Sequence, residues 1–240
     1  MRVESGVNGT MQRVAVVAIM VLAVFAGVAT AQQSRVFVSS TEFASGDLGG
    51  LAGADMTCNN LAAAAGLGGN WVAWLSTSTE NAVDRLTPGS GPFVRASATG
   101  TVIANDIIEL TSGTLQTRIG FDELGADVGS GLVWTGTAPD GTVERSSFCT
   151  FGPPATLNPC ACDAWTAPTG ASGNVGGASF VSDRWTRAGL LNCSNPSSQV
   201  YCFELPAAVV PTLPPIALAL FAAMLLAGGA YLYRRRQAVG

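Results

Sequence analysis

Residues 190–204 read Leu-Leu-Asn-Cys-Ser-Asn-Pro-Ser-Ser-Gln-Val-Tyr-Cys-Phe-Glu and contain two cysteines, Cys193 and Cys202. From residue 199 to residue 205 the side chains alternate in the way that is typical of a β-strand. The residues upstream must supply partners for both sulfur atoms and for this strand. We therefore expect the stretch to close a folded domain and the chain beyond it to act as a tether.

The N-terminal residues have the pattern of an export signal. An apolar run at residues 14–28 follows Arg13 and ends in Ala29-Thr30-Ala31. A basic residue, a short apolar run and small residues before a cut are typical of a secretory signal peptide. We predict a signal peptide at residues 1–31 that is cleaved after Ala31. The alternative is an uncleaved membrane anchor.

A second apolar run, residues 216–233, is followed by three arginines. Its length is close to the minimum of about 17–25 residues for a membrane span. The arginines mark the cytoplasmic side of a membrane. We predict a Pro-rich linker at residues 206–215, a transmembrane helix at 216–233 and a basic cytoplasmic tail at 234–240. Residues 35–205 then form an extracytoplasmic domain in a bacterial cell envelope, outside the inner membrane.

The exported part is acidic. Residues 32–205 contain 15 carboxylate side chains and 7 arginines, which gives a net charge of −8. Such a surface disfavours nucleic acid and anionic lipid as partners. The chain contains no histidine and no lysine.

The six cysteines all lie in the exported part, and an even number of cysteines in an oxidising compartment predicts three disulfides. Zinc ligation is the alternative, but the sequence has no histidine and no Cys-x-x-Cys pair. Cys160 and Cys162 are too close in sequence to bridge each other without strain, so they take different partners. The remaining pairings stay open on this evidence. The six are Cys58, Cys149, Cys160, Cys162, Cys193 and Cys202.

Local patterns predict a mixed α+β domain. Residues 54–65 have helical spacing, with Cys58 and Ala62 on the inner face and Asp55 in the first turn. The glycine-rich residues 46–53 before them lack the lysine of a phosphate-binding loop and are interpreted as a turn. We predict strands at 35–40, 71–75, 132–135 and 199–205, a helical turn at 81–86, and short extended pieces at 102–104 and 107–110.

The order of these elements resembles that of a known fold. An early helix cysteine, a Trp-rich strand and a closing Cys-x(8)-Cys-Phe-Glu resemble the C-type-lectin-like fold, especially its endostatin-like branch. The sequence also resembles an uncharacterised family of bacterial surface proteins over roughly residues 35–205. The motifs that carry this second likeness stand at residues 48–58, 65–67, 74–76, 133–136, 162–166 and 201–204.

The resemblance to the lectin-like fold implies a set of disulfides. It pairs the helix cysteine with the last one, Cys58 with Cys202, and nests a second bridge, Cys162 to Cys193, inside the first. Cys149 and Cys160 are then left to form a local bridge.

The C-terminal tail has a likeness of its own. Val210-Pro211-Thr212-Leu213, an apolar helix and three arginines resemble the IPTL-CTERM protein-sorting signal, with valine in place of the usual isoleucine. This likeness implies a sorting protease that cuts near Thr212. The alternative is a plain tail anchor.

Enzymatic chemistry has little support in the sequence. Without histidine and lysine, the commonest general bases and amine nucleophiles are missing. Two carboxylate pairs, Asp122-Glu123 and Asp106 with Glu109, are interpreted as solvated charges on surface loops. We therefore expect a protein that is not an enzyme, with a hydrolase as the weakest alternative.

A binding role fits better, although the ligand is not specified. The chain has Ser194-Asn195-Pro196 where a calcium-dependent lectin carries Glu-Pro-Asn or Gln-Pro-Asp, and no acidic residue precedes this proline, so we expect no cofactor and no calcium site. Oxygen donors such as Asp163, Asp183 and Glu204 do not change that expectation. Trp185 is the weak candidate for a binding residue, because it stands between Arg184 and Thr186 before a glycine turn, whereas most of the other tryptophans lie on apolar strands. We expect a lectin-like module for recognition of an extracellular ligand or for adhesion; the alternative is a structural envelope or matrix protein.

Overall fold

The computed structural model describes residues 33–86, 90–97, 100–149, 157–166, 172–194 and 198–207, with Ala223, Met224 and Gln237. The chain divides into two units, Met1–Pro206 and Ala207–Gly240. The predicted signal peptide with Ala31 and the sorting motif at 210–213 lie outside the described residues, as does the predicted membrane helix apart from two residues. Among the residues that are described, no helix is long and apolar enough to cross a membrane.

The first unit has a mixed α+β fold built on a sheet. Two helices accompany it, α1 (Gly50–Ala64) and the short α2 (Ile107–Leu110). In the described part, eight strands share one sheet and two more form a separate pair, β6 with β7. The strands are β1 (Ser34–Val38), β2 (Asn70–Ala73), β3 (Phe93–Arg95), β4 (Val102–Ala104), β5 (Leu132–Trp134), β6 (Arg145–Ser146), β7 (Asn158–Pro159), β8 (Ser172–Gly177), β9 (Gly189–Asn192) and β10 (Gln199–Leu205).

Strand β10 is the centre of the sheet, whose order is β4-β3-β1-β10-β5-β8-β9. Along one side it pairs antiparallel with β1. Along its other side it pairs first with β5, in parallel, and then with β2, antiparallel. The strand predicted at residues 199–205 is therefore confirmed, and it joins both halves of the sheet.

The sheet is buried on both faces. Successive residues of β10 point to opposite sides, so Val200 and Cys202 pack towards α1 while Tyr201 and Phe203 pack into a second core. This second core is covered by the irregular chain between β2 and β5, including Leu110 and Ile119. Residues 200–203 are therefore apolar on both faces, and the polar side chains Gln199 and Glu204 lie near the ends of the strand. The strand that alternation predicted is present, but it has no solvent-facing side.

Helix α1 begins at Gly50, four residues before the predicted start, so the prediction of a plain turn at residues 46–53 is wrong at its C-terminal half. Gly53 is needed there because a Cβ atom at that position would collide with the carbonyl oxygen of Leu48. Asp55 therefore lies in the second turn. Its carboxylate accepts hydrogen bonds from Arg85 Nη2 at 2.5 and 2.6 Å, so it stabilises a tertiary contact instead of the helix end.

Most other predicted elements are present with shifted ends. The strands predicted at 35–40, 71–75 and 132–135 are shorter, and the predicted helical turn at 81–86 is a 3-10 turn at Val83–Arg85. Residues 107–110 are helical, where we predicted extended chain. Asp106 explains the difference, since its side chain caps α2 by accepting a hydrogen bond from the Glu109 N–H at 2.8 Å.

Three disulfides staple the fold: Cys58–Cys202, Cys149–Cys160 and Cys162–Cys193. These are the pairs that the resemblance implies. The first ties α1 to β10 and closes a loop of 144 residues. The third fastens the end of β9 to the turn that follows Ala161, across 31 residues.

That turn has an uncommon backbone. Cys162, Asp163, Ala164 and Trp165 have φ values between 43° and 67°, so they form a left-handed helical turn. L-residues resist this conformation because Cβ approaches the carbonyl oxygen. The turn is held at both ends, by the disulfide of Cys162 and by Trp165, which is buried and donates from Nε1 to the carbonyl of Ser76 at 2.9 Å.

Candidate functional site

An open groove of about 310 Å³ lies where strands β5, β8 and β9 meet the chain that joins β8 to β9. Its lining is mainly apolar and includes two leucines that are more than a third exposed, Leu132 at 37% and Leu190 at 38%. Its other main contributors are Phe180, Arg184, Gly189 and Leu191.

The groove lies far from the point where the chain enters and leaves the domain. Strands β1 and β10 are antiparallel, so Ser34 and Leu205 are at the same end of the sheet. An ion pair joins their neighbours there, with Arg35 Nε 2.6 Å from Glu204 Oε2. Leu132 instead begins β5, which pairs with the first residues of β10. Seven residues of strand separate the two ends by about 20 Å.

The groove carries a positive charge. The guanidinium of Arg184 lies over the ring of Phe180, with 4.2 Å between the guanidinium carbon and the ring centroid. No carboxylate of the described residues forms an ion pair with Arg184, nor with Arg95 or Arg145, whereas Arg35, Arg85, Arg118 and Arg187 each have at least one. Arginine is enriched at binding interfaces, so an arginine beside an apolar groove agrees with a ligand site.

One wall of the groove is the last strand of the sheet. Strand β9 pairs antiparallel with β8, and no strand in the described part of the chain pairs with its other side. Asn192 is followed by Cys193, whose disulfide fixes the end of the strand. A Cβ atom on Gly189 would meet nothing within 4 Å, so the space above this residue is open.

Trp185 does not lie on this surface, and the exposure expected of it as a candidate binding residue is wrong. Its side chain is fully buried, with its ring centroid 5.3 Å from that of Trp74 and 5.6 Å from that of Tyr201. The flanking polar residues suggested exposure, but a 3-10 turn at Asp183–Trp185 rotates the indole inwards. All five tryptophans are core residues, and burial also raises the pKa of Tyr201.

The carboxylate pair Asp122-Glu123 is buried, each residue being 6% exposed, so its interpretation as solvated surface charge is wrong. Asp122 Oδ1 accepts hydrogen bonds from the backbone N–H groups of Leu124 and Ala126, at 3.0 and 2.7 Å. Glu123 accepts from the N–H of Ser40 at 3.0 Å and from its hydroxyl. These bonds connect a tight turn to the end of β1, which accounts for both carboxylates without a catalytic role.

The oxygen donors singled out in the sequence stand on different elements. Glu204 pairs with Arg35, Asp183 faces Arg187 at 3.8 Å, and Asp163 is exposed in the left-handed turn. Within the described ranges, no three acidic or cysteine side chains gather closely enough to hold a metal ion.

A second charged cluster surrounds Phe121. The guanidinium carbons of Arg95 and Arg118 lie 3.8 and 5.1 Å from its ring centroid. Hydrogen bonds from Arg118, and then one from the Gly129 N–H, lower the pKa of Asp127 to about 2. Asp127 occupies both terminal nitrogens of Arg118, at 2.9 and 2.5 Å, so this cluster is largely satisfied within the chain.

No protein-family model matches this chain, and a search of curated proteins gives no match. The described residues define a mixed α+β domain that is stapled by three disulfides and carries an open groove at one end of its sheet. Nothing in the sequence was interpreted as this groove, although two of its residues, Leu190 and Leu191, belong to the closing stretch at residues 190–204. Two adjacent leucines before a cysteine were a signal that one of them faces outwards, since neighbouring residues of a strand point to opposite sides.

Proposed function

We propose that the protein is an exported, envelope-anchored module of the lectin-like, endostatin-like type that binds an extracellular ligand and has no enzymatic activity. The observation that carries the proposal is the groove lined by Leu132, Leu191 and Arg184 at the end of the domain remote from its termini. This end of the sheet is about 20 Å from the end of β10 that leads to the predicted tether.

The groove also favours binding over a purely structural role. A binding site requires both an apolar surface and a few polar groups that select the ligand. Arg184 and the neighbouring hydroxyls of Ser130 and Ser179 supply those polar groups.

Binding of the purified domain to a panel of glycans and matrix proteins tests this proposal. We expect at least one ligand to bind the domain more strongly than it binds an unrelated acidic protein, and we expect Leu132→Asn to weaken that binding at least tenfold. Leu124→Asn is the matched control, since Leu124 is 72% exposed and is not part of the groove. Equal binding by both variants, or no ligand above the background, would favour the structural alternative.

The export and anchoring part of the proposal rests on the sequence at both ends of the chain. We expect the mature protein to begin at Gln32, which mass spectrometry of the surface-located form measures. For the tail, replacing Pro211 and Thr212 by alanine leaves the apolar helix unchanged, so a plain anchor should behave as before. A sorted protein should accumulate uncut in the inner membrane. An unchanged mass and location in this double variant would leave a simple single-span anchor.

A further inference from the structure

We propose that the groove binds the carboxyl-terminal residue of a partner polypeptide. The apolar side chain of that residue lies on the face of the sheet, and its α-carboxylate pairs with Arg184. This inference rests on the proposed binding function and specifies its ligand. It follows from the apolar floor of the groove, the position of its charge and the small number of its polar groups.

The floor of the groove is one face of strands β5, β8 and β9. In the register of these strands, Leu132 lies opposite Gly177, Val175 lies opposite Gly189, and Leu191 follows Gly189 by two residues. Directly opposite residues, and residues two apart on one strand, point to the same face of a sheet. Gly189 leaves a gap in this face, because a Cβ atom there would meet nothing within 4 Å. An apolar side chain of a ligand therefore fits over Gly189, next to Val175.

A positive charge stands at the side of this floor. Phe180 lies over Gly177, since a Cβ atom on that glycine would be 2.6 Å from Phe180 Cδ2, and the guanidinium of Arg184 lies over the Phe180 ring. An arginine that stacks on a ring keeps a fork of N–H donors that matches a carboxylate. The neighbouring carboxylate of Asp183 faces Arg187 at 3.8 Å. The other acidic residues of the domain are screened beyond about 8 Å at physiological salt. Arg184 is therefore available to a carboxylate of the ligand.

The groove offers few other polar partners. In the described part of the chain its remaining polar side chains are the hydroxyls of Ser130 and Ser179. The backbone N–H and C=O groups of strands point along the plane of the sheet and not towards its faces. An internal peptide segment, or a glycan with its many hydroxyls, would therefore cover this floor with polar groups that lack partners, which weakens binding. A terminal residue brings only its carboxylate, for Arg184, and one N–H, for a serine hydroxyl.

The dimensions of the groove agree with the end of a chain. Its volume of about 310 Å³ is at the lower end of the range for ligand pockets, about 300–1,000 Å³, so the part of the ligand that enters is small. The groove is also open, and Leu132 is 37% exposed. Small free ligands are usually buried by about 70–90%, which this groove does not provide. A partner chain instead continues from the groove into solvent, at the end of the sheet remote from the predicted tether.

The test uses short glycine–serine peptides that end in phenylalanine and carry fluorescein at the amino end. Binding to the purified full-length protein is measured by fluorescence polarisation. The peptide with a free carboxyl end should bind at least threefold more tightly than the same peptide with a carboxamide end. A third peptide has an aspartate after an internal phenylalanine and a carboxamide end, and it should bind no better than the amide. Equal binding by acid and amide, or tighter binding by the third peptide, would overturn the proposal.

Two variants separate the two contacts. Arg184→Gln should abolish the difference between acid and amide while the affinity of the amide stays unchanged. Leu132→Asn should weaken both forms at least tenfold, because both use the apolar floor. Arg145→Gln and Leu124→Asn are the matched controls and should change neither affinity, since both residues are exposed and neither lines the groove. Thermal unfolding shows whether each variant is folded. A preference for the acid that survives Arg184→Gln in a folded protein would contradict the inference.

The remaining outcomes separate this inference from the function on which it rests. If a glycan or matrix protein binds in a manner sensitive to Leu132→Asn while no peptide binds, the groove is a ligand site and the inference is wrong. If 3-phenylpropanoate displaces the labelled peptide as well as the unlabelled acid peptide does, the occupant is a small free acid, and the inference is wrong again. If neither a member of the panel nor a peptide binds, the proposed function fails together with the inference.

Discussion

Replacing Ala164 by glycine should stabilise the domain, whereas the same replacement at Ala63 should destabilise it. Ala164 has φ 55° and ψ 32° in the left-handed turn, a conformation that costs an L-residue about 1 kcal/mol or more and that glycine adopts freely. Its side chain is exposed, so its removal loses little packing. Allowing for the larger entropy of glycine in the unfolded chain, we expect a net gain of about 1 kcal/mol.

Ala63 is the matched control because its side chain is also exposed, but its backbone belongs to the right-handed helix α1. Glycine there should cost about 0.5–1 kcal/mol. Urea unfolding of the purified domain with its disulfides intact, monitored by tryptophan fluorescence, gives the free energy of unfolding of each variant. The two variants should shift the midpoint in opposite directions. A loss of stability in Ala164→Gly equal to that in Ala63→Gly would refute the reasoning, because it would mean that the left-handed turn imposes no backbone cost.

Three further predictions concern the staples and charges of the domain. Cys58→Ser should destabilise the domain more than Cys149→Ser, by about 2 kcal/mol in urea unfolding, because the two disulfides close loops of 144 and 11 residues. Equal losses of stability would contradict the loop-entropy account. Arg85→Met should cost about 2 kcal/mol in the same assay, since this arginine, 5% exposed, bonds the partly buried carboxylate of Asp55. Arg118→Gln should raise the pKa of Asp127 from about 2 towards 3.8 in an NMR pH titration. Because the folded pKa is the lower one, the contribution of Asp127 to stability is present above pH 3.8 and is lost as the pH falls towards 2.

The amino-acid sequence by itself was enough to predict the features that depend on residues close together in sequence. Alternation predicted β10, helical spacing placed Cys58 on the inner face of α1, and the even number of cysteines predicted three disulfides. The pairing of the cysteines was predicted only from the resemblance to the lectin-like fold, because the residues around a cysteine do not indicate a partner that is distant in sequence. The left-handed turn was not predicted, since its conformation is imposed by a disulfide and by the burial of Trp165.

The tertiary structure alone decided which surfaces are free. Trp185 and the pair Asp122-Glu123 looked exposed from their neighbours but are buried, because residues distant in sequence pack over them or donate hydrogen bonds to them. Nothing in the neighbouring residues marked Leu190, which lies beside a groove. Its strand ends the sheet, and that position follows from the pairing of β8 with β5 far away along the chain. Which side chains are exposed depends on how the strands assemble into the sheet, so the sequence alone did not identify the site.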